Sequence, residues 1–278
     1  MEKLLRYSLV LAVAAFFAVM WGLLLRSHFP LQSAGRLRPF YDNLLEPAEQ
    51  ERSVAWGIYL EDNRIGHADT RVWRDQMGGI SIHTTTEIDL KATLHNILGV
   101  SGVLDVDFKA SISPLRGLQS FDVTSKMLNT ELMGTVAEDR MLILGHIGKD
   151  AVRMSMPCDE QRMLSEVLSP ISALPPLDEG LVGQEWTLDL VNPIAGKVEE
   201  VTVTIISFKD LRLADQTTTV FKLLFATRAS QWTSWVTEEG TVLVQGTPFG
   251  ITLQREDIPA ETLAELKATF GQQLRPPE

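Results

Sequence analysis

Residues Ile80–Leu90 read ISIHTTTEIDL. Ile80, Ile82, Thr84, Thr86, Ile88 and Leu90 fall on one side of an extended chain, and Ser81, His83, Thr85, Glu87 and Asp89 on the other. Alternation with period two, rich in β-branched residues, is the pattern of an antiparallel strand with one face buried and one in water. Val103–Ser113 repeats it, with Leu104, Val106, Phe108, Ala110 and Ile112 opposed to Asp105, Asp107, Lys109 and Ser111.

Working outward, Ser53–Leu60 and Arg64–Arg74 flank the turn composition Glu61-Asp62-Asn63, and Leu118–Leu128, Asn129–Glu138, Met141–Ile147 and Ala151–Met156 follow with breaks between them. About eight strands at roughly ten-residue spacing predict a long, curved antiparallel meander. Strands resume at Trp186–Val191, Lys197–Phe208, Thr217–Arg228, Trp232–Thr237, Thr241–Gly246 and Ile251–Arg255. Two helices are expected. Asp159 is placed to cap EQRMLSEVLS (160–169), in which Met163, Leu164, Val167 and Leu168 form an apolar stripe opposite Glu160, Arg162 and Glu166. The last runs from about Pro259 to Gly271, with Leu263, Leu266 and Phe270 on its apolar face. The fold expected is mainly β: a large, half-barrel-like antiparallel sheet with a crossover helix and a C-terminal helix.

At the other end of the chain Tyr7–Leu25 reads YSLVLAVAAFFAVMWGLLL, without a charge. As a helix it is about 28 Å long, enough to cross a bilayer core. It is longer than a signal-peptide core and no small-x-small cleavage site follows, so an uncleaved anchor is expected. The division expected is an anchor over 1–27, a proline-bearing connector over 28–52 read as a stalk, and a β domain over 53–278. Basic residues flank the run on both sides, but a six-residue head suits export of the long C-terminal part. The location expected is a bacterial inner membrane, single-pass, with that part in the periplasm.

Composition narrows the partners. The first 25 residues contribute +1 to a formal charge of −11, which leaves −12 beyond them. That charge repels phosphate backbones, so nucleic acid is excluded as a partner. The single cysteine, Cys158, precludes an internal disulfide.

No motif points to an enzyme. His28, His67, His83, His95 and His146 have no i, i+3 or i+4 spacing among them. His67 and His83 are placed to neighbour each other on paired strands. Asp105 and Asp107 share a strand face at about 7 Å spacing, and only a cleft uniting them with His83 would suggest catalysis. No catalytic residue, metal ligand or cofactor is assigned. The stripe Met163, Leu164, Val167 and Leu168 is the candidate lid over an apolar groove. Trp232 and Trp235, three apart on a strand, point to opposite faces, so that one of them is a candidate exposed contact.

The segment Ser234-Trp235-Val236-Thr237-Glu238-Glu239-Gly240-Thr241-Val242-Leu243, continued by Thr247-Pro248-Phe249-Gly250-Ile251-Thr252-Leu253-Gln254-Arg255-Glu256, resembles a hairpin of an uncharacterised family of exported bacterial β-sheet proteins, some preceding a transglutaminase-like domain. Gly57-Ile58-Tyr59-Leu60 with Arg64-Ile65-Gly66, and Leu188-Asp189-Leu190-Val191-Asn192-Pro193, resemble its opening hairpin and central turn. The resemblance implies a large antiparallel sheet and no catalytic residue. At the level of architecture the curved sheet is similar to periplasmic lipoprotein-carrier half-barrels. The function expected is therefore non-enzymatic binding of a lipid or other apolar ligand on the concave face. The alternative is an accessory, protein-binding subunit of an inner-membrane transporter or envelope complex.

Overall fold

The computed structural model describes residues 44–45, 48–75, 78–90, 102–113, 117–138, 140–157, 162–164, 176–192, 197–213, 216–228, 230–247 and 250–270. The strands are β1 (Glu51–Leu60), β2 (Asn63–Arg74), β3 (Ile80–Asp89), β4 (Val103–Ser113), β5 (Gly117–Ser125), β6 (Thr130–Ala137), β7 (Arg140–Ile147), β8 (Asp150–Pro157), β9 (Arg162–Leu164), β10 (Glu185–Asn192), β11 (Lys197–Leu213), β12 (Gln216–Ala226), β13 (Gln231–Thr237), β14 (Val242–Gly246) and β15 (Ile251–Arg255). One α-helix, α1 (Ala260–Phe270), follows them.

All fifteen strands belong to one sheet, ordered β8-β7-β6-β5-β4-β3-β2-β1-β15-β14-β13-β12-β11-β10-β9. Two meanders thus meet where the first strand pairs with the last, Trp56 opposite Arg255 and Ile58 opposite Leu253. Fourteen strands run antiparallel to their neighbours; β9 alone pairs parallel, with β10. The ladder is unclosed, but the sheet curls. Flat, β5 and β9 would lie about 50 Å apart at the usual strand spacing, whereas their backbones come within 8 Å. Twist accumulated over many strands and bulges at Ile58/Tyr59, Ser111/Ile112, Ile205/Ser207 and Trp235/Val236 supply the curvature.

The alternation in Ile80–Leu90 holds. Ile80, Ile82 and Thr84 are buried on the inner face, and His83, Thr85, Glu87 and Asp89 lie on the outer. The inner face closes over two apolar clusters. One joins β1 and β2 to β10–β14 through Trp56, Ile58, Val203, Leu223, Phe225 and Val236; the other joins β2–β7 through Ile82, Phe108, Phe121, Leu132 and Ile143. A third lies on the outer face, where Leu266 of α1 covers Leu211, Val220, Trp235 and Val244.

Two expectations change. Arg162–Leu164 is strand, not the middle of a crossover helix. The stripe fits a helix by spacing, but β10 would otherwise expose a row of unpaired backbone groups, and the parallel register Asp189↔Arg162 to Val191↔Leu164 satisfies them. Met163 and Leu164 thus lie on a strand, while Val167 and Leu168 fall outside the described residues. The anchor over 7–25 also falls outside them; among the described residues no helix is long and apolar enough to cross a membrane.

The connector read as a stalk is in part core. Leu44 and Leu45 pack into the cluster of β2–β7, Leu45 with 0% of its surface exposed. Arg74 Nη2 donates to the Leu45 carbonyl at 3.2 Å. The boundary at residue 53 is therefore too late. Leu45→Ala should cost about 2–4 kcal/mol by loss of burial plus cavity, read as a fall in the denaturant midpoint. A midpoint equal to wild type would return this segment to the role of tether.

Candidate functional site

The sheet offers an outer, polar face and an inner, apolar one. On the outer face β3 and β4 bring His83 and Asp107 together, with Nε2 donating to Oδ2 at 2.7 Å and Lys109 Nζ at 3.3 Å from Oδ1. Partial burial pushes the Asp107 carboxyl up, but the hydrogen bond and charge of His83, with Lys109 beside it, push it further down, below the ordinary carboxylate value. Asp105 does not join them. Its carboxylate accepts the backbone N–H groups of Lys126 and Met127, both at 3.1 Å, which ties β4 to the β5–β6 turn and holds this carboxyl low as well. His67 and His83 are not neighbours: His67 stands opposite Glu87 and His83 opposite Arg71. Among the described residues no group of three or more His, Cys, Asp or Glu side chains can hold a metal ion. The outer cluster is an ion pair with a cation beside it.

A carboxyl that titrates lower folded than unfolded stabilises the fold above its unfolded value, and that contribution is lost as pH falls through the folded one. The Asp107 pair is about a third exposed, so the effect is below about 1 kcal/mol. Asp107→Asn should lower the urea midpoint slightly at about pH 6 and by less at about pH 2.5. An equal shift at both pH values would mean that packing, not charge, is what the substitution removes.

Trp232 and Trp235 do point to opposite faces, but neither is an exposed contact. Trp232, 8% exposed, stacks on Phe225 at 5.5 Å between ring centres on the inner face. Trp235, 1% exposed, lies on the outer face beneath α1, with Lys209 Nζ and Lys222 Nζ at 5.1 and 5.8 Å from its ring centre. β13 is an interior strand with a cluster on each face, so it has no free side to present. The sequence also gave no warning of Lys222, fully buried on that outer face, whose amine is pushed down by desolvation and by the charge of Lys209. Its pairing with Trp235 on the β12–β13 ladder places it there.

Along the middle of the inner face runs a strip that the two clusters leave half-buried. Two register rows define it: Arg255–Trp56–Ala68–Thr86–Val106 and Leu253–Ile58–Gly66–Ile88–Leu104. Trp56 and Ile58 are buried, whereas Thr86, Ile88, Leu104, Val106 and Leu253 keep part of their surface. Between β1 and β3 the floor of the strip is Gly66 and Ala68, small side chains that lower it. These two rows carry no carboxylate, and the one cation in them, Arg255, is held by Asp257, with Nε donating to Oδ1 at 2.9 Å and Nη2 bonded to Oδ2. Of the proposed lid residues, Met163 and Leu164 belong to β9, and Val167 and Leu168 lie outside the described residues. Alternation had put Ile88, Leu104 and Val106 on the right face, but nothing local in the sequence marks which part of that face stays uncovered.

No family model and no curated protein matches the sequence. Among solved structures the chain is similar to a β-barrel-like protein of a domain of unknown function, DUF1849, from Brucella abortus, at 8% identity and a TM-score of 0.48, over 74% of this chain and 94% of that one.

Proposed function

We propose that the chain is a non-enzymatic, membrane-anchored exported protein that binds an apolar ligand on the concave face of its sheet. The observation that carries this is the half-buried strip Thr86, Ile88, Leu104, Val106 and Leu253, set between the two apolar clusters of the inner face. Half-exposed aliphatic side chains in a concave, uncharged setting are the ordinary lining of a lipid or small-molecule site. The run Tyr7–Leu25 supports a single-pass anchor in a bacterial inner membrane with the β domain in the periplasm, and likeness to lipoprotein-carrier half-barrels would extend the ligand class to acylated proteins. The test is uptake of the neutral fluorophore N-phenyl-1-naphthylamine by the delipidated full chain, with native mass spectrometry of the protein as first extracted. Saturable uptake together with a copurifying lipid-sized mass is expected; neither appearing would end the reading.

A second reading has its own observation. Met133, Leu142 and Leu144 are exposed on the outer face of β6 and β7, with Met133 directly opposite Leu144. No described helix covers them, in contrast to the outer face under α1. Such a patch suits an accessory subunit that docks a membrane-protein partner.

A further inference from the structure

The inner face holds a polar atom that packing leaves unanswered. Trp56 Nε1 is buried, in a residue 3% exposed, and makes no hydrogen bond. A buried donor without an acceptor loses its water and gains nothing in return, and native proteins leave few of them. Its position gives the orphan a meaning. Trp56 sits in the same register row as Thr86 and Val106, separated from Thr86 only by Ala68, so the indole borders the half-buried strip.

The charges nearby are informative too. Arg255, opposite Trp56, is already neutralised by both oxygens of Asp257. Thr70 and Thr84, bonded to each other at 3.1 Å, Ser125 and Thr130, and Ser234 with Gln245, opposite each other on β13 and β14, are buried and uncharged on this face, while Arg74, level with Ile80 at its far end, donates to the Leu45 carbonyl. A carboxylate or phosphate brought here would give up its hydration with no free cation to replace it. The chain's net charge of −11 opposes its approach as well.

Resting on the apolar-ligand reading above, we infer that the strip takes a neutral amphiphile, an ester or amide of a long hydrocarbon chain. Its carbonyl oxygen accepts a hydrogen bond from Trp56 Nε1 and its hydrocarbon covers Ile88, Leu104 and Val106. Trp56 is a donor only, so it selects an acceptor. A plain hydrocarbon leaves the indole N–H unpaired, and an ionised fatty acid brings a charge the site cannot hold.

The full chain in dilute mild detergent, loaded with N-phenyl-1-naphthylamine, is titrated at about pH 9 with methyl oleate, with oleate and with 1-octadecene. Methyl oleate is expected to displace the fluorophore at a concentration about tenfold below that needed with oleate. Trp56→Phe, which keeps the ring and removes the N–H, is expected to weaken methyl oleate about fivefold and to leave 1-octadecene unchanged. Oleate acting as well as the ester overturns the neutral class, a comparison that needs no variant. An equal effect of Trp56→Phe on ester and hydrocarbon overturns the role of the indole. Absence of any fluorophore uptake overturns the apolar-ligand reading itself and this inference with it, whereas uptake without preference overturns this inference alone.

Discussion

Gly145→Val should cost the domain about 4 kcal/mol and lower its melting temperature by about 10 °C. Gly145 lies inside β7 with φ +146, a conformation that side chains rarely adopt, and a Cβ there would sit 1.9 Å from the carbonyl oxygen of Glu131 and 2.9 Å from Cα of Leu132. Both atoms are backbone of β6, so no rotamer change relieves the clash; the β6–β7 ladder must open instead. That ladder aligns Leu132 with Gly145 and Gly134 with Ile143, and Leu132, Met141 and Ile143 belong to the cluster of β2–β7. Gly148→Ala is the control. Gly148 has φ +61 with nothing within 4 Å of a Cβ, so it incurs the backbone cost alone, about 1 kcal/mol. If Gly145→Val melts within about 2 °C of Gly148→Ala, the close approach of β6 and β7 is not what requires the glycine.

The strands were legible because each is a half-buried element whose period of two survives in the sequence. The structure starts and ends β4 at Val103 and Ser113, as the alternation does, and moves the ends of most others by only one to three residues. The long β11 is the instructive departure. Its pattern breaks at the bulge near Ile206, and a reader of periodicity stops at Phe208, whereas the strand runs on to Leu213 with its faces exchanged. Phe208 meets Phe221 on one side of this region, and Leu211 goes under α1 on the other. β9 misled for the opposite reason. Three residues are too few to show any period, and Met163, Leu164, Val167 and Leu168 satisfy a helical one, so only the unmet backbone of β10 reveals that Arg162–Leu164 is strand.

The candidate site was half legible. Alternation places a side chain on a face, but the cover over that face comes from distant parts of the chain. Leu44 and Leu45 close one region of it, and Leu177, whose N–H donates to the carbonyl of Glu238 at 2.8 Å, closes another. Neither contact has a signature in the sequence. The strip at Ile88 and Leu104 is what those two leave open. The same limit explains Trp235: a tryptophan on the outer side of a strand reads as exposed until α1, joined to β15 by only a few residues, is folded back over it.

Leu104→Asp is therefore expected to reduce fluorophore uptake by the full chain at least about tenfold while leaving it folded. Leu104 is only partly buried, so its loss removes about 1 kcal/mol of apolar burial, and an aspartate there keeps access to water when no ligand is present. With a ligand seated, the carboxylate must shed that water against hydrocarbon beside Ile88, its partner across the β3–β4 ladder, and the cost falls on binding rather than on folding. Leu142→Asp supplies the contrast. It sits on the outer face, 40% exposed, in the patch with Met133 and Leu144, and should leave uptake unchanged. The two variants separate the two readings of the molecule. Loss of uptake in Leu104→Asp alone supports a ligand inside the curve of the sheet. Unchanged uptake in Leu104→Asp, with loss of a copurifying membrane-protein partner in Leu142→Asp, would place the function on the outer face of β6 and β7 and leave the inner strip as incompletely covered core.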